Sequence, residues 1–188
     1  MKPLLLALLR ALGRCRCRLG GARLGRGVLV HGWPRVRARC GGRILIGDRV
    51  TINSARWSNP FNSQPATLYA GPGALLELLP DAGLSGCQII AHHHIRIGAG
   101  TLVGAATLVC DSDMHGLPLA RGGPPATAPV TIGNHVFLGA RSIVLKGVTI
   151  GDGAVVAAGS IVTRNVPPHT LAAGQPARTV RQLDHPER

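Results

Sequence analysis

Aliphatic residues recur at every sixth position through the C-terminal half of the chain. From Ile132, steps of six land on Leu138, Val144, Ile150, Val156 and Val162. The position after each anchor is mostly small: Gly133, Gly139, Leu145, Gly151, Ala157 and Thr163. The position four after each anchor is small or β-branched throughout: Val136, Ser142, Val148, Ala154, Ser160 and Val166. The same register recurs at Ile97, Val103 and Val109, with Gly98 and Gly104 next to the first two and Thr101 and Thr107 four places on. It is fainter at Ile46 and Ile52, and at Leu24, Val30 and Val36. On an α-helix a step of six would rotate the aliphatics around the axis and build no common face. Short strands joined by glycine-containing turns, each setting one aliphatic against the next layer, account for the pattern. Hairpin dipeptides at regular spacing are scarce, which disfavours an up-and-down antiparallel sheet. The chain is therefore predicted to wind as an all-β solenoid of parallel β-coils.

Composition agrees with thin, regular layers. The 188 residues include 26 Gly and 14 Pro beside 45% hydrophobic residues, yet aromatic residues make only 3%. A core so poor in rings has to be filled by Val, Ile, Leu and Ala. The length suits one domain with short appendages and leaves no room for a second catalytic domain.

Charge changes the picture at the N-terminal end. Of the formal +13, residues 1–49 carry 12 Lys and Arg against the single acid Asp48, while the remaining residues hold 9 basic and 7 acidic side chains. A basic block is one mark of a nucleic-acid-binding domain. No aromatic interleaving, zinc-ligand spacing or recognition-helix pattern accompanies these arginines, so that class is disfavoured. Pro3 to Leu9 is apolar, but Arg10 interrupts it and Arg14, Arg16 and Arg18 follow in place of a signal-peptide cleavage site. No stretch approaches the ~20 apolar residues of a membrane span. Two readings of Lys2 to Arg18 stay open: a basic amphipathic helix resting on an anionic membrane surface, and a solvated helix covering one end of the core. The five cysteines (Cys15, Cys17, Cys40, Cys87, Cys110) are odd in number and lack a CxxC pair. That points to a reduced, cytoplasmic setting, with the inner membrane face within reach of the N-terminal helix. The expected organisation is a basic amphipathic segment over 1–22, the β-coil domain over 23–181 with a loop at 116–129, and a tail over 182–188.

Between the two strong repeat blocks lies Val109-Cys110-Asp111-Ser112-Asp113-Met114-His115. His115 falls six residues after Val109, where a buried aliphatic is due, and a Gly/Pro-rich stretch from Gly116 to Pro129 separates it from the resumption at Val130. A functional residue at the mouth of a loop on a rigid scaffold fits this arrangement. The bland alternative is a histidine filling the end of a coil. Alternation would let Asp111, Asp113 and His115 share one side of an extended strand. A neutral imidazole, a group that ordinarily titrates near ~6.5, can take the proton of a hydroxyl as it attacks a thioester carbonyl. Asp113 could orient that imidazole or bind the acceptor. Backbone amides near Ser142 are candidate oxyanion donors.

The run from Val130 to Arg178, VTIGNHVFLGARSIVLKGVTIGDGAVVAAGSIVTRNVPPHTLAAGQPAR, closely resembles the hexapeptide-repeat acetyltransferases, among them the maltose, galactoside, capsular and O-antigen sugar O-acetyltransferases. The match is strong from about Gly83 to Arg181. The resemblance implies a left-handed parallel β-helix, triangular in section, with active sites between the subunits of a homotrimer. It also implies transfer of acetyl from acetyl-CoA to a sugar hydroxyl, as in polysaccharide biosynthesis, with the His of D-x-D-x-H as general base. Ala140, Ala158, Thr163, Arg164, Arg178 and Arg181 match positions that contact the coenzyme in such proteins, the arginines meeting phosphate charge. Phe137 stands where the family often carries Trp near the thioester. One departure is that galactoside-type members hold the acceptor with an Asn, where this chain reads Gly83-Leu84-Ser85-Gly86-Cys87. Ser85 is the nearest polar substitute, with Asp111, Asp113 and His92 as further acceptor-side candidates.

Two other functions deserve weighing. The fold also houses zinc-dependent carbonic anhydrases, but the run His92-His93-His94 has no second histidine pair at the spacing those sites need, so no metal is expected. A non-catalytic scaffold subunit would be expected to lack both D-x-D-x-H and Arg178, and both are present.

Overall fold

The computed structural model describes residues 3–59, 61, 64–116, 118–119 and 122–183. Helix α1 (Pro3–Leu19) precedes three sheets that the chain visits in rotation. Sheet A stacks Ala22–Leu24, Arg43–Ile46, Leu75–Leu78, His94–Ile97, Val130–Ile132 and Thr149–Ile150. Sheet C stacks Arg35–Ala38, Thr67–Ala70, Gln88–Ala91, Leu108–Cys110, Ile143–Val144 and Ile161–Val162. Sheet B runs from Leu29–Gly32 through Thr51–Ser54, Gly83–Ser85, Leu102–Val103, Phe137–Leu138 and Val155–Val156 to Thr170–Gly174, and ends in Ala177–Gln182. All neighbours pair in parallel except the last two strands of sheet B. This three-walled prism is the left-handed parallel β-helix expected from the sequence.

Three steps of six make one coil. Ile132 lies in register with Ile150, Leu138 with Val156 and Val144 with Val162. Adjacent strands stand ~4.8 Å apart, so each anchor sits directly on its equivalent in the next layer. All six anchors are buried, as are Ile97, Val103 and Val109. The core also continues through Leu68, Leu76, Leu78, Leu84 and Ile89, where the six-residue register is hard to see in the sequence. Burying each such side chain is worth ~1.5–3 kcal/mol.

The place four residues after an anchor also faces inward, and it carries the interior's few hydroxyls. Thr101 Oγ1 donates to the Gly133 carbonyl at 2.7 Å and accepts the Val136 N–H at 3.1 Å. Thr107 Oγ1 donates to the Gly139 carbonyl at 3.0 Å and lies 3.3 Å from Ser142 Oγ. Paired in this way, buried hydroxyls tie one coil to the next at little cost. Ser142 is consequently fully buried inside the prism, and its N–H donates to the Gly139 carbonyl at 3.2 Å. This burial corrects the expectation that the Ser142 side chain meets the coenzyme, and its own N–H is already used within the coil.

Helix α1 lies across the first coil and touches the opening strand of all three sheets. Gly13 permits the close approach: a Cβ there would stand 2.7 Å from Val30 Cγ1. At the other end, Ala177–Gln182 folds back antiparallel on Thr170–Gly174 and closes the final edge of sheet B. Residues 184–188 of the expected tail lie outside the described residues, as do Met1 and Lys2.

Two segments leave the prism. One spans 55–66 between sheets B and C, and the other spans 111–129 between sheets C and A. Leu117, Ala120 and Arg121 of the second lie outside the described residues. Its two arms are held together near the prism, where the Asp113 N–H donates to Ala126 O at 3.0 Å and the Ala128 N–H to Asp111 O at 3.0 Å. The backbone of 111–115 is not an extended strand, since Met114 takes a left-handed φ of 65°. Asp111 turns inward and is fully buried. Its carboxylate accepts the backbone N–H of His92 at 2.7 Å and of His93 at 2.9 Å, one coil earlier. Asp111 therefore roots the loop on the prism rather than facing an acceptor, and the alternation expected of Asp111, Asp113 and His115 does not form.

Two stability effects follow. Asp111→Ala strands two backbone donors under the loop, which costs ~1–3 kcal/mol for each group left unpaired; the unfolding free energy from denaturant titration should fall accordingly, with the midpoint moving to lower denaturant. Gly98→Ala drives a Cβ into the carbonyl of Gly133. Overpacking against backbone of this kind costs ~1–3 kcal/mol, and an unchanged thermal midpoint for this variant would contradict the coil spacing described above.

Candidate active site

The outer face of sheet B carries a cleft of about 290 Å³. Its floor is Gly83, Leu102, Val103 and Gly104, and Phe137 rises one coil beyond Leu102. Gly83 helps to form the floor because a Cβ there would meet Leu102 Cδ2 at 2.7 Å. Ser85 and Asn53, register partners on adjacent coils, supply polar groups on one side, and Asn59 and Phe61 of the 55–66 segment form a further wall. Along the corner between sheets B and C, Ala105, Ala140 and Ala158 succeed one another coil by coil. The Arg141 N–H donates to Ala105 O, and the Gly159 N–H to Ala140 O at 2.9 Å. A column of methyl groups leaves backbone accessible to a long, narrow ligand. The column ends at the closing hairpin, where Arg178 and Arg181 are both exposed.

The second group of candidates sits at the corner between sheets C and A. His115 is exposed at the root of the 111–129 loop, next to Met114, which is 51% exposed. Asp113 accepts from Lys146 Nζ at 2.7 Å, so its partner is a lysine one coil on. His92 is half-buried on the same corner, its ring tilted against Tyr69 at 5.6 Å, and its Nε2 is buried without a hydrogen-bond partner. His94 pairs with Glu77 at 2.7 Å and His93 is exposed, so the three consecutive histidines point to three different surroundings. Thr163 and Arg164 are exposed on this corner, three coils' length from His92.

In a triangular section the corner between sheets C and A is the vertex opposite sheet B. One chain therefore brings together Phe137, Ala140, Ala158 and Ser85, with Arg178 and Arg181 at the end of the same side. It holds His115, Asp113, His92, Thr163 and Arg164 on the other side of the prism. The sequence reading missed Asn53, Asn59 and Phe61. A signal was available: the register stops after Ile52 and resumes at Leu68, sixteen residues on, where a multiple of six is due. Lys146 left no such trace, because its contact with Asp113 spans a coil and a loop.

None of the buried thiols offers a nucleophile. Burial pushes Cys87 up to about 12 and Cys17 to about 11, and it raises Cys110 as well. They remain protonated at neutral pH, and a protonated thiol is a poor attacking group.

Known proteins agree with this architecture. Residues 129–164 match the model described as the hexapeptide repeat of succinyl-transferase. The chain is 51% identical over 61 residues to 2,3,4,5-tetrahydropyridine-2,6-dicarboxylate N-acetyltransferase of Enterococcus faecalis, covering 32% of this chain and 26% of that protein. It is 37% identical over 97 residues to galactoside O-acetyltransferase of Escherichia coli, covering 51% of this chain and 48% of that one. The chain thus spans at most about half the length of these curated relatives. In fold it is similar to AntD, an N-acyltransferase from Bacillus cereus solved with dTDP and 3-hydroxybutyryl-CoA, at a TM-score of 0.72 and 18% identity over 91% of this chain and 88% of that one. Period, prism and relatives lead to one conclusion: this chain folds as a left-handed β-helix that carries a hexapeptide-repeat segment over residues 129–164, and it is similar over part of its length to acetyltransferases.

Proposed function

We propose that the chain is an acetyl-CoA-dependent O-acetyltransferase acting on a hydroxyl of a sugar or glycan precursor, with His115 as general base. The observation that carries this reading is the sheet B side of the prism. A small-residue column at Ala105, Ala140 and Ala158 runs from the cleft at Phe137 and Ser85 to the exposed arginines of the closing hairpin. That sequence of surfaces suits a coenzyme whose thioester end is a narrow, uncharged arm and whose far end carries phosphates. The similarity to galactoside O-acetyltransferase over about half of this chain supports the same reading.

Because His115 stands on the corner opposite the cleft, the reaction requires the loop corner of one subunit to face the sheet B side of another. A homotrimer with parallel axes achieves this three times over. It also unites Thr163 and Arg164 with the coenzyme groove of the neighbour. In the reaction the neutral His115 imidazole takes the proton of the acceptor hydroxyl as its oxygen attacks the thioester carbonyl. The tetrahedral intermediate collapses with loss of the coenzyme thiolate, which recovers the proton from the imidazolium. Asp113, paired with Lys146 and two residues from the base, is our candidate for binding the acceptor. Asn53, Asn59 and Ser85 line the cleft with neutral hydrogen-bonding groups suited to hydroxyls.

His115→Ala should lower the turnover of acceptor-dependent thiol release by ~10²–10⁴-fold, while coenzyme affinity by calorimetry stays close to that of the parent. Unchanged turnover would remove His115 from this role. Sedimentation equilibrium at micromolar concentration should give three times the 19.5 kDa chain mass, and a monomer there would leave the base and the groove on separate sides of one prism.

A further inference from the structure

The N-terminal helix has two apolar faces, and the prism uses only one. Leu6, Leu9, Gly13 and Cys17 turn toward the first coil. On the opposite side Leu4, Leu8, Leu12 and Leu19 are 83%, 55%, 41% and 84% exposed, and Leu5 and Cys15 are exposed beside them. At ~100° per residue these six positions fall within a sector about 100° wide, with Arg16 on one flank and Arg18 on the other. Since α1 lies across the end of the prism, this sector faces away from the coils. Leucines bunched in this way on a soluble surface mark an interaction site.

Charge decides what covers them. Residues 1–47 contain no acid, and α1 itself carries only arginines among its charged residues. A second copy docked through the same helix would set Arg16 and Arg18 of one against those of the other with no carboxylate to pair them. Arg23, Arg35, Arg37, Arg39 and Arg43 are exposed on the first coils behind the helix. The positive field therefore surrounds the leucine sector broadly rather than lining one groove. A broad negative surface with an apolar layer beneath it satisfies both features.

We propose that the end of the prism closed by α1 docks on an anionic phospholipid bilayer, with the leucine sector entering the interfacial layer and the surrounding arginines against the lipid phosphates. The helix then lies in the plane of the membrane surface and the coils stand away from it. No helix among the described residues is long and apolar enough to cross a membrane, so the attachment is peripheral. It is independent of the acetyltransferase reading.

The test is flotation of the full chain with vesicles of phosphatidylcholine alone or mixed with phosphatidylglycerol. The protein should rise with the anionic vesicles and stay behind with the neutral ones. Binding should weaken as salt goes from ~0.1 M to ~1 M, where the screening length falls from ~10 Å to ~3 Å. The double variant L8Q/L12Q should lose at least about tenfold in vesicle affinity, each leucine forfeiting its apolar burial. Both leucines are exposed, so its far-ultraviolet circular dichroism and thermal midpoint should match the parent, and its thiol release, if the parent has any, should be kept. No binding to anionic vesicles would overturn the proposal, and so would binding that the leucine substitutions leave intact. A mass that grows with protein concentration and reverts in the double variant, without lipid binding, would assign the sector to a second copy instead.

Discussion

Everything in this molecule depends on the vertical stacking of identical inward positions. Each coil hands its backbone N–H and C=O groups to the coils above and below, which fixes the layers ~4.8 Å apart. At that spacing a side chain pointing inward has its own equivalent as its nearest neighbour. The interior therefore admits only residues that pack on themselves in a narrow triangular section, and Val, Ile, Leu, Ala and a few paired hydroxyls meet that condition. Rings do not, which is why the chain has so few aromatics and why Phe61 and Phe137, lining the cleft, face outward.

The same constraint explains where function can reside. The walls are pinned coil to coil, so variation is confined to outward positions, corners and segments that leave the prism. Both departures of the chain occur at corners: 55–66 beside the sheet B cleft and 111–129 carrying His115. Asp111 shows how such a departure is tolerated. By bonding the N–H groups of His92 and His93 it satisfies the corner beneath and anchors the loop, so the exposed His115 rests on a rigid base. The two ends of the prism must also be closed, since the first and last coils have one unpaired face. Helix α1 does this at one end and the antiparallel hairpin at the other, and each closing element carries the arginines used in the proposed contacts with lipid and coenzyme.

Much of this was legible in the sequence. The step of six is a local rule, and it identified the anchors from Ile97 to Val162, the small or β-branched place four residues later and the break at His115. The reading weakened between Leu68 and Ile89, where the 55–66 segment shifts the register and hides the continuity of the coils. It erred on Asp111 and Ser142. Both were treated as ligand-facing on the strength of residue type and spacing, whereas the coil geometry turns their side chains inward to protein partners.

The sequence alone settled the all-β solenoid class and the core positions from Ile97 to Val162, because both arise from interactions repeated within one short period of the chain, and it showed the charge asymmetry directly. Tertiary structure decided which outward residues meet. It joined Asn53, Ser85 and Phe137 in one cleft, paired Asp113 with Lys146, and set His115 on the corner opposite sheet B. Those relations depend on how many coils and which corner separate two residues. Such separations accumulate through every insertion between them, so spacing along the chain no longer measures distance in space.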